Sequence, residues 1–499
     1  MVLGASAVLS LLPLIVAYAL DVPLGETGKF VYRYSSFVSQ KLLTSAMVIV
    51  PIGAVLAALW MLAQPRLRVA GYFMATIAIA SLVAWNLWAP LTPMTQHVFN
   101  LRSPSHDGAF VEQAEFVHDL SSYLRNFDQL VRRSKEEMRS TRVIANPPGM
   151  TVFFHLVFAA LPADPNAPSW AERMAGSDGS VTRSTGILLD HGVKAALACA
   201  IVLALAGVAA MGLGRLFLSP MGAFAFAAIV VFNPMTVHFN PGKDPDQLLT
   251  VCLMLWAWFA AYQRRSWLLH ALAGALLVIG MGVGVIHFWV ALAGLAATAW
   301  EAMEGESKDE KGGGAASRFR PFLLHSVLPT ALGGAAVWLT VWAGLGWNML
   351  ATLVAVSQRW SELQPELGYS RGLWLMIGLP NVLVFVGLGL WLVAIASLRR
   401  FGRPRSLGAK LALCTLGVMT LTYVIGIPYE LPRLWVVFVP PLLLGLMMIQ
   451  PVCRSYGGQR VMMILIVVLI SHIAATSVHW AFLDARESEY RLQTLRMYN

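Results

Sequence analysis

The chain alternates between apolar stretches of about 17 to 25 residues and short loops that hold most of its lysines and arginines. A helix needs about 20 apolar residues to cross about 30 Å of hydrocarbon with every backbone amide paired internally. The pattern therefore predicts thirteen membrane-spanning helices. They lie near residues 3–20, 42–63, 70–90, 192–212, 216–233, 247–262, 267–284, 285–300, 322–345, 372–396, 408–427, 433–449 and 461–482.

The composition agrees with a protein that lives in a bilayer. Hydrophobic residues make up 57% of the 499 and charged residues 12%, and long apolar stretches of this kind are typical of membrane proteins. We predict an all-α polytopic protein with one integral membrane domain over residues 1–499. The net charge of +10 comes mainly from the short loops, so it sets orientation and does not indicate a nucleic-acid partner.

The basic loops also predict which side each end of the chain occupies. Short loops rich in arginine and lysine stay in the cytoplasm, and here they alternate along the chain, with a flexible charged linker at 301–321 among them. This places the amino terminus inside and the carboxyl terminus outside a bacterial-type plasma membrane. The alternation requires that Pro147–Leu161 does not cross the membrane, and it makes 91–191 a long extracytoplasmic loop.

Within that loop, apolar residues recur every three or four positions from Phe110 to Val131. This spacing is typical of an amphipathic helix, which we expect to lie on the membrane interface. Glu112, Glu115 and Asp119 share its opposite face. They are either a solvated polar surface or, for the two glutamates, contacts to a substrate.

Asp107 precedes this helix in the sequence "SPSHDG". An acid in this position either complements the helix terminus or reaches the head group of a lipid-borne substrate. His106 and His118 each stand beside an aspartate, so a divalent cation remains an open alternative, although no cofactor is certain.

Three further segments carry polar residues between apolar ones: "ANPPGMTVFFHL", "VHFNPGKDPDQLL" and "YELPRLW". Together with the acid-bearing loop they resemble the membrane glycosyltransferases of the GT-C superfamily. Protein O-mannosyltransferases and lipid A aminoarabinose transferases carry a His-Pro-Pro-Leu or Lys-Pro-Pro-Leu sequence in the corresponding loop. The matching residues here are Asn146, Pro147, Pro148 and Gly149.

The resemblance implies an inverting transfer of a sugar from a polyprenyl-phosphate donor to a hydroxyl of a lipid, glycan or protein on the extracytoplasmic side. A carboxylate serves as general base and cations receive the phosphate. We assign the base to Asp107. Expected substrate contacts are Glu112, Glu115, Arg142, Asn146, Pro147, Pro148, His238, Lys243, Asp244, Asp246, Arg371, Glu430 and Arg433.

The sequence departs from the superfamily in two ways. The superfamily places its catalytic aspartate after the first span, whereas Asp107 follows the third, and the earlier loop offers Asp21 and Glu26 instead. The proline pair also follows Asn146 and not a basic residue. A secondary transporter and an envelope polysaccharide ligase or polymerase are the alternative functions.

Overall fold

The computed structural model describes residues 24–26, 30–33, 49–88, 97–98, 101, 107–132, 141–162, 183–304, 315–367, 371–398, 406–425, 431–450 and 483–484. Helices dominate these residues. In chain order they are α1 Ile49–Ala63, α2 Arg68–Trp88, α3 Gly108–Phe116, α4 Leu120–Arg125, α5 Phe127–Arg132, α6 Thr141–Ile144, α7 Gly149–Ala160, α8 Arg183–Gly214, α9 Pro220–Val231, α10 Pro234–His238, α11 Lys243–Arg264, α12 Trp267–Val283, α13 Ile286–Glu304, α14 Ala315–Phe322, α15 Leu328–Leu345, α16 Met349–Leu367, α17 Arg371–Leu398, α18 Leu407–Ile425, α19 Leu431–Leu434 and α20 Val439–Ile449.

Five of the described helical segments are long and apolar enough to cross a membrane. They are Pro65–Leu87, Asp190–Gly214, Ile286–Glu304, Phe319–Leu345 and Leu407–Val424. Their length and composition agree with the predicted helical membrane protein. The first and last predicted spans, near 3–20 and 461–482, lie outside the described residues.

The predicted spans and the observed helices differ most at α16, Met349–Leu367, which the hydrophobic pattern did not predict. Its sequence, MLATLVAVSQRWSELQPEL, becomes polar halfway, so no uninterrupted apolar run signals it. The segment predicted not to cross the membrane forms α7, a helix of 12 residues. Such a helix rises about 18 Å, less than the thickness of the hydrocarbon layer.

The prediction of one continuous amphipathic helix from Phe110 to Val131 is wrong in one respect. The chain forms three short helices there, α3, α4 and α5. Val117 leaves helical geometry, and the Asp119 carboxylate accepts a hydrogen bond from the backbone N–H of Ser121 at 3.0 Å, which starts α4. The apolar face was predicted correctly, since Phe110, Phe127 and Val131 are buried.

Two apolar cores hold the described residues together. The larger one packs α1, α2, α8, α9, α11 and α20 against one another. The smaller one lies under α3 to α7 and includes Val193 to Cys199 of α8 and the first turns of α16. The short helices of the long loop are therefore packed into the protein and do not stand apart from it.

The direction of the helices defines two ends of the bundle. Helix α11 runs from Lys243 to Arg264, α12 returns to Val283, and α13 runs out again to Glu304. Arg265, in the left-handed conformation, and Ser266, which caps α12, make the tight turn between the first two. We call the end that holds Lys243 the site end and the end that holds Glu304 the far end.

The remaining regular structure is a small antiparallel sheet of the order β1-β2-β3. Its strands are Leu24–Glu26, Phe30–Arg33 and Leu483–Asp484. The linker predicted at 301–321 is helical at both of its ends, because α13 continues to Glu304 and α14 begins at Ala315.

Candidate active site

Asp107 is the centre of a buried ion network at the site end. Its Oδ1 accepts hydrogen bonds from Nη2 of Arg142 and, at 3.0 Å, from Nη2 of Arg433. Its Oδ2 accepts from the backbone N–H of Lys243 at 2.5 Å. Three segments that are far apart in the sequence therefore converge on one carboxylate.

This geometry bears on the capping interpretation of Asp107. The residue occupies the position before α3, but its side chain makes no capping hydrogen bond to that helix. A carboxylate that capped the helix would accept from the N–H groups of the first turn. The carboxylate of Asp107 is hydrogen-bonded to the two arginines instead.

Asp244, in the first turn of α11, is the second carboxylate of the network. Its Oδ2 accepts from Nε of Arg433, and its Oδ1 lies 3.2 Å from Nζ of Lys243. Gln247 also donates to Oδ1, at 3.2 Å. Arg433 thus joins both carboxylates. Gln247 has no part in the sequence prediction, because one amide in an acidic segment carries no signal of its own.

Asn146 and the proline pair join the same network. The Oδ1 of Asn146 accepts from Nζ of Lys243 at 2.9 Å, while its Nδ2 donates to the carbonyl oxygen of Arg142 at 2.8 Å. Pro147 and Pro148 are buried between α6 and α7. No basic residue directly precedes the proline pair in the sequence. Lys243, from a segment about a hundred residues later, places a basic group beside Asn146 instead.

Gly242 allows this close approach of α11 to Asp107. A Cβ atom at position 242 would lie 2.4 Å from Oδ2 of Asp107, which is well inside van der Waals contact. Any larger residue would push apart the carboxylate and the start of α11. The glycine of "NPGKDPD" is thus explained by packing against the central carboxylate.

We call Asp107, Arg142, Lys243, Asp244 and Arg433 the Asp107 cluster. It contains three cationic side chains and two carboxylates. The side chains are between 4% and 17% exposed. Grouped arginine and lysine side chains can donate several charge-assisted hydrogen bonds to one anion. The cluster is therefore suited to bind a negatively charged group.

Asp246 lies beside the cluster, in the same turn of α11. It is buried, and neither of its carboxyl oxygens is hydrogen-bonded among the described residues. Burial raises the pKa of this carboxyl well above its usual range, and the thiol of Cys199 faces it. Burial thus disfavours the charged form of Asp246.

Several predicted contacts lie elsewhere. Glu115 accepts from Nδ1 of His191 at 3.0 Å, where the imidazole also stacks on Phe158. Arg371 is exposed and donates to the carbonyl oxygen of Val424 at 2.8 Å. Neither side chain contacts the carboxylate of Asp107, and the substrate contacts predicted for them stay predictions. Glu112 is half-buried in α3.

Other predicted residues fall partly or wholly outside the described parts. Glu430, Asp21 and His106 lie outside them. For His238, at the end of α10, and Glu26, in β1, only the backbone is described. Within the described ranges, no group of three or more histidine, cysteine, aspartate or glutamate side chains is arranged to hold a metal ion.

An apolar cavity of about 390 Å³ opens between α11, α12, α13, α15 and α16. Met281 lines its upper part, and the next residue, Gly282, is in contact with Gly149 after the proline pair. Phe288 and Leu350 also line it and are 46% and 58% exposed. The cavity is therefore open to the apolar outer surface of the protein.

Comparison with known proteins gives no relative: no protein-family model, no curated protein and no solved structure matches this chain.

Proposed function

We propose that this protein is a membrane glycosyltransferase that moves a sugar from a polyprenyl-phosphate donor to an acceptor hydroxyl. The observation that supports it best is the Asp107 cluster, in which a carboxylate and three cations are held together in a protein that also has an apolar cavity lined by α11. The reaction needs these three features, because the donor has a lipid tail, an anionic leaving group and a hydroxyl partner that must lose a proton.

The cations act on the leaving group. When the bond between the anomeric carbon and the phosphate oxygen breaks, the phosphate gains a negative charge. Arg142, Lys243 and Arg433 supply charge-assisted hydrogen bonds to it and lower the barrier without a general acid. Lys243 is held for this task by Asn146, whose Oδ1 lies 2.9 Å from its Nζ.

Asp107 acts as the general base. It takes the proton from the acceptor hydroxyl as the oxygen attacks the anomeric carbon, and a single displacement inverts that carbon. Before this step Asp107 must exchange a donor, since three hydrogen bonds already occupy its oxygens. The arriving phosphate draws Arg142 away, because an arginine pairs with phosphate as well as with carboxylate. Donor binding thus prepares the base.

The remaining parts follow from this arrangement. Asp244 holds Arg433 in place through its Nε. Burial raises the pKa of Asp246 and so disfavours a further negative charge beside the phosphate. The first isoprene units of the donor lie in the apolar cavity, where Met281 on the wall precedes Gly282, the neighbour of Gly149. We place the site on the extracytoplasmic side, in accordance with the basic loops predicted at the far end.

A reconstituted transfer assay tests the proposal. Purified protein in proteoliposomes is given a panel of polyprenyl-phosphate sugars with the lipid fraction of a bacterial envelope as acceptor. We expect sugar transfer by the wild type and loss of transfer in Asp107→Asn. Absence of transfer from every donor, together with uptake of a solute by the same vesicles, would instead identify a transporter.

A further inference from the structure

His287 is a fully buried histidine in the second residue of α13, behind the Asp107 cluster. Its Nδ1 lies 2.9 Å from the carbonyl oxygen of Gly284, and its Nε2 lies 2.7 Å from the hydroxyl oxygen of Thr250 on α11. A polar side chain inside a membrane domain is costly and is kept where it has a task. No role in the reaction described so far uses this histidine.

The direction of these hydrogen bonds follows from their chemistry. A carbonyl oxygen only accepts, so Nδ1 of His287 carries the proton and donates to Gly284. In the neutral ring Nε2 then accepts from the hydroxyl of Thr250. The single proton of that hydroxyl is shared between Nε2 and the carbonyl oxygen of Gln247, which lies 3.0 Å away and one turn earlier on α11. His287 thereby fixes the side chain that lies against the first turn of α11.

Two glycines make room for this contact. A Cβ atom at position 280 would lie 2.3 Å from Cδ2 of His287, and one at position 284 would lie 2.6 Å from Oε1 of Gln247. The segment "GMGVGV", residues 280–285, therefore needs glycine at positions 280 and 284, because only glycine leaves space there for the imidazole of His287 and the amide of Gln247. General packing between helices would not need both openings.

From Thr250 the polar contacts continue to the Asp107 cluster. Gln247 donates through Nε2 to Oδ1 of Asp244, and Oδ2 of Asp244 accepts from Nε of Arg433. Arg433 in turn donates to Asp107 at 3.0 Å. A series of polar contacts, one of them through the backbone carbonyl of Gln247, thus joins the buried imidazole to the carboxylate assigned as base.

We propose that His287 is a positioning residue for the transfer reaction, acting through Thr250 and Gln247 to hold the first turn of α11, and with it Lys243 and Asp244, against Asp107. The inference rests on the proposed function, since it concerns the same site. His287 does not touch the reacting groups. It sets where the cations and the second carboxylate stand when the donor arrives.

The expected effect is on turnover more than on binding of the lipid. A displacement of catalytic groups by about 1 Å lowers rates by about 100-fold, although every group is still present. We therefore expect His287→Leu and Thr250→Val each to reduce kcat by about 10- to 100-fold. The KM for the lipid donor should change by less than about threefold, since most of the donor is held by its tail and by cations that remain.

A double-mutant cycle is the decisive test. If His287 acts through Thr250, the double variant should be no slower than the worse single variant, whereas independent effects would multiply. His287→Gln, which offers an amide near the position of Nε2, should recover part of the lost turnover. Gly284→Ala should reproduce the defect without altering the histidine, because it displaces Gln247.

His270→Leu is the matched control. His270 is also buried in a membrane helix, but its ring packs edge-on against Trp258 near the far end of α12. This variant should keep wild-type turnover even where its melting temperature falls. Melting temperatures of all variants are measured in the same detergent, so that unfolding is separated from loss of activity.

The results distinguish the two proposals. A wild type that transfers no sugar overturns the proposed function and the inference with it. A wild type that transfers sugar, with His287→Leu equally fast or with effects of His287→Leu and Thr250→Val that multiply, overturns the inference alone. Loss of turnover that the double variant does not increase supports it.

Discussion

Two buried ion clusters stand at opposite ends of this bundle, and they differ in charge and in exposure. At the far end, Nζ of Lys410 lies 2.7 Å from carboxylate oxygens of Glu301 and Glu304. The lysine is 2% exposed, but the two glutamates are 34% and 49% exposed. At the site end every charged side chain of the Asp107 cluster is buried or nearly so.

The difference shows which cluster is shielded from water. The far-end glutamates are partly exposed, and Oε1 of Glu304 also accepts a hydrogen bond from Nε1 of Trp300, so water and this contact stabilise their charge. Lys410 joins α13 to α18, which is a structural task. The Asp107 cluster gathers three cationic side chains where water has little access. Buried charged groups gathered in this way are typical of functional sites, and the cations are suited to an anion.

Asp107→Asn gives the largest expected effect. The amide keeps the shape of the side chain but cannot accept the proton, so we expect transfer to fall by about 10²- to 10⁴-fold, the range of general-base catalysis. The measurement is initial rate in proteoliposomes. Asp119→Asn, an exposed cap in the same loop where asparagine serves equally well, should retain wild-type activity. Equal loss in both variants would contradict the assignment of Asp107.

Lys243→Gln is expected to give the second largest effect. One charge-assisted hydrogen bond contributes about 1.5–3 kcal/mol, so the KM for the lipid donor should rise by about 10- to 100-fold. The matched control is Lys194→Gln, which removes another paired lysine on the same side of the bundle. Donor titrations of both variants check this. A KM that rises equally in the two variants would indicate a general electrostatic effect.

Lys410→Met tests the other side of the comparison. It removes the far-end cation and leaves two glutamates that water already solvates, so the melting temperature should fall by a few degrees. Turnover should stay at the wild-type value. Thermal unfolding in detergent and the transfer assay are run on the same sample. Lost turnover with unchanged melting temperature would mean that the far end takes part in the reaction.

The smallest effect concerns pH. Burial lowers the pKa of His97 to about 4, while an unfolded histidine titrates near about 6.5. Between these values the unfolded chain binds more protons, so the free energy of unfolding decreases as the pH falls, on the order of 2 kcal/mol by pH 5. Melting curves of His97→Gln should show a weaker decrease between pH 7 and 5. An identical decrease would exclude His97 as its source.

The comparison also shows how far the sequence predicts this molecule. Apolar run length predicts where most of the described helices lie, because each membrane-spanning helix must provide its own apolar surface. It fails at α16, whose second half is polar. It also fails between Phe110 and Val131, because periodicity does not reveal that Asp119 starts a new helix.

For the site, residue type and local sequence were sufficient to select Asp107, Arg142, Asn146, Asp244 and Arg433, which the fold brings together. They did not reveal that Arg371 donates to the carbonyl oxygen of Val424 or that Glu115 accepts from His191. A lone charged residue near a helix end has the same local sequence pattern whether it contacts a substrate or a backbone carbonyl. The role of Gly280 and Gly284 depends on a neighbouring helix, so no local pattern predicts it.

The most direct test of the central claim is the binding of polyprenyl phosphate compared with polyprenol in lipid nanodiscs. The two lipids share a tail and differ in the phosphate, so their difference measures the anion site alone. We predict that the wild type binds polyprenyl phosphate at least about tenfold more tightly than polyprenol. Arg433→Gln should lose this preference, while Arg371→Gln should keep it. Equal affinity of the wild type for both lipids would contradict the proposal that the Asp107 cluster binds the phosphate.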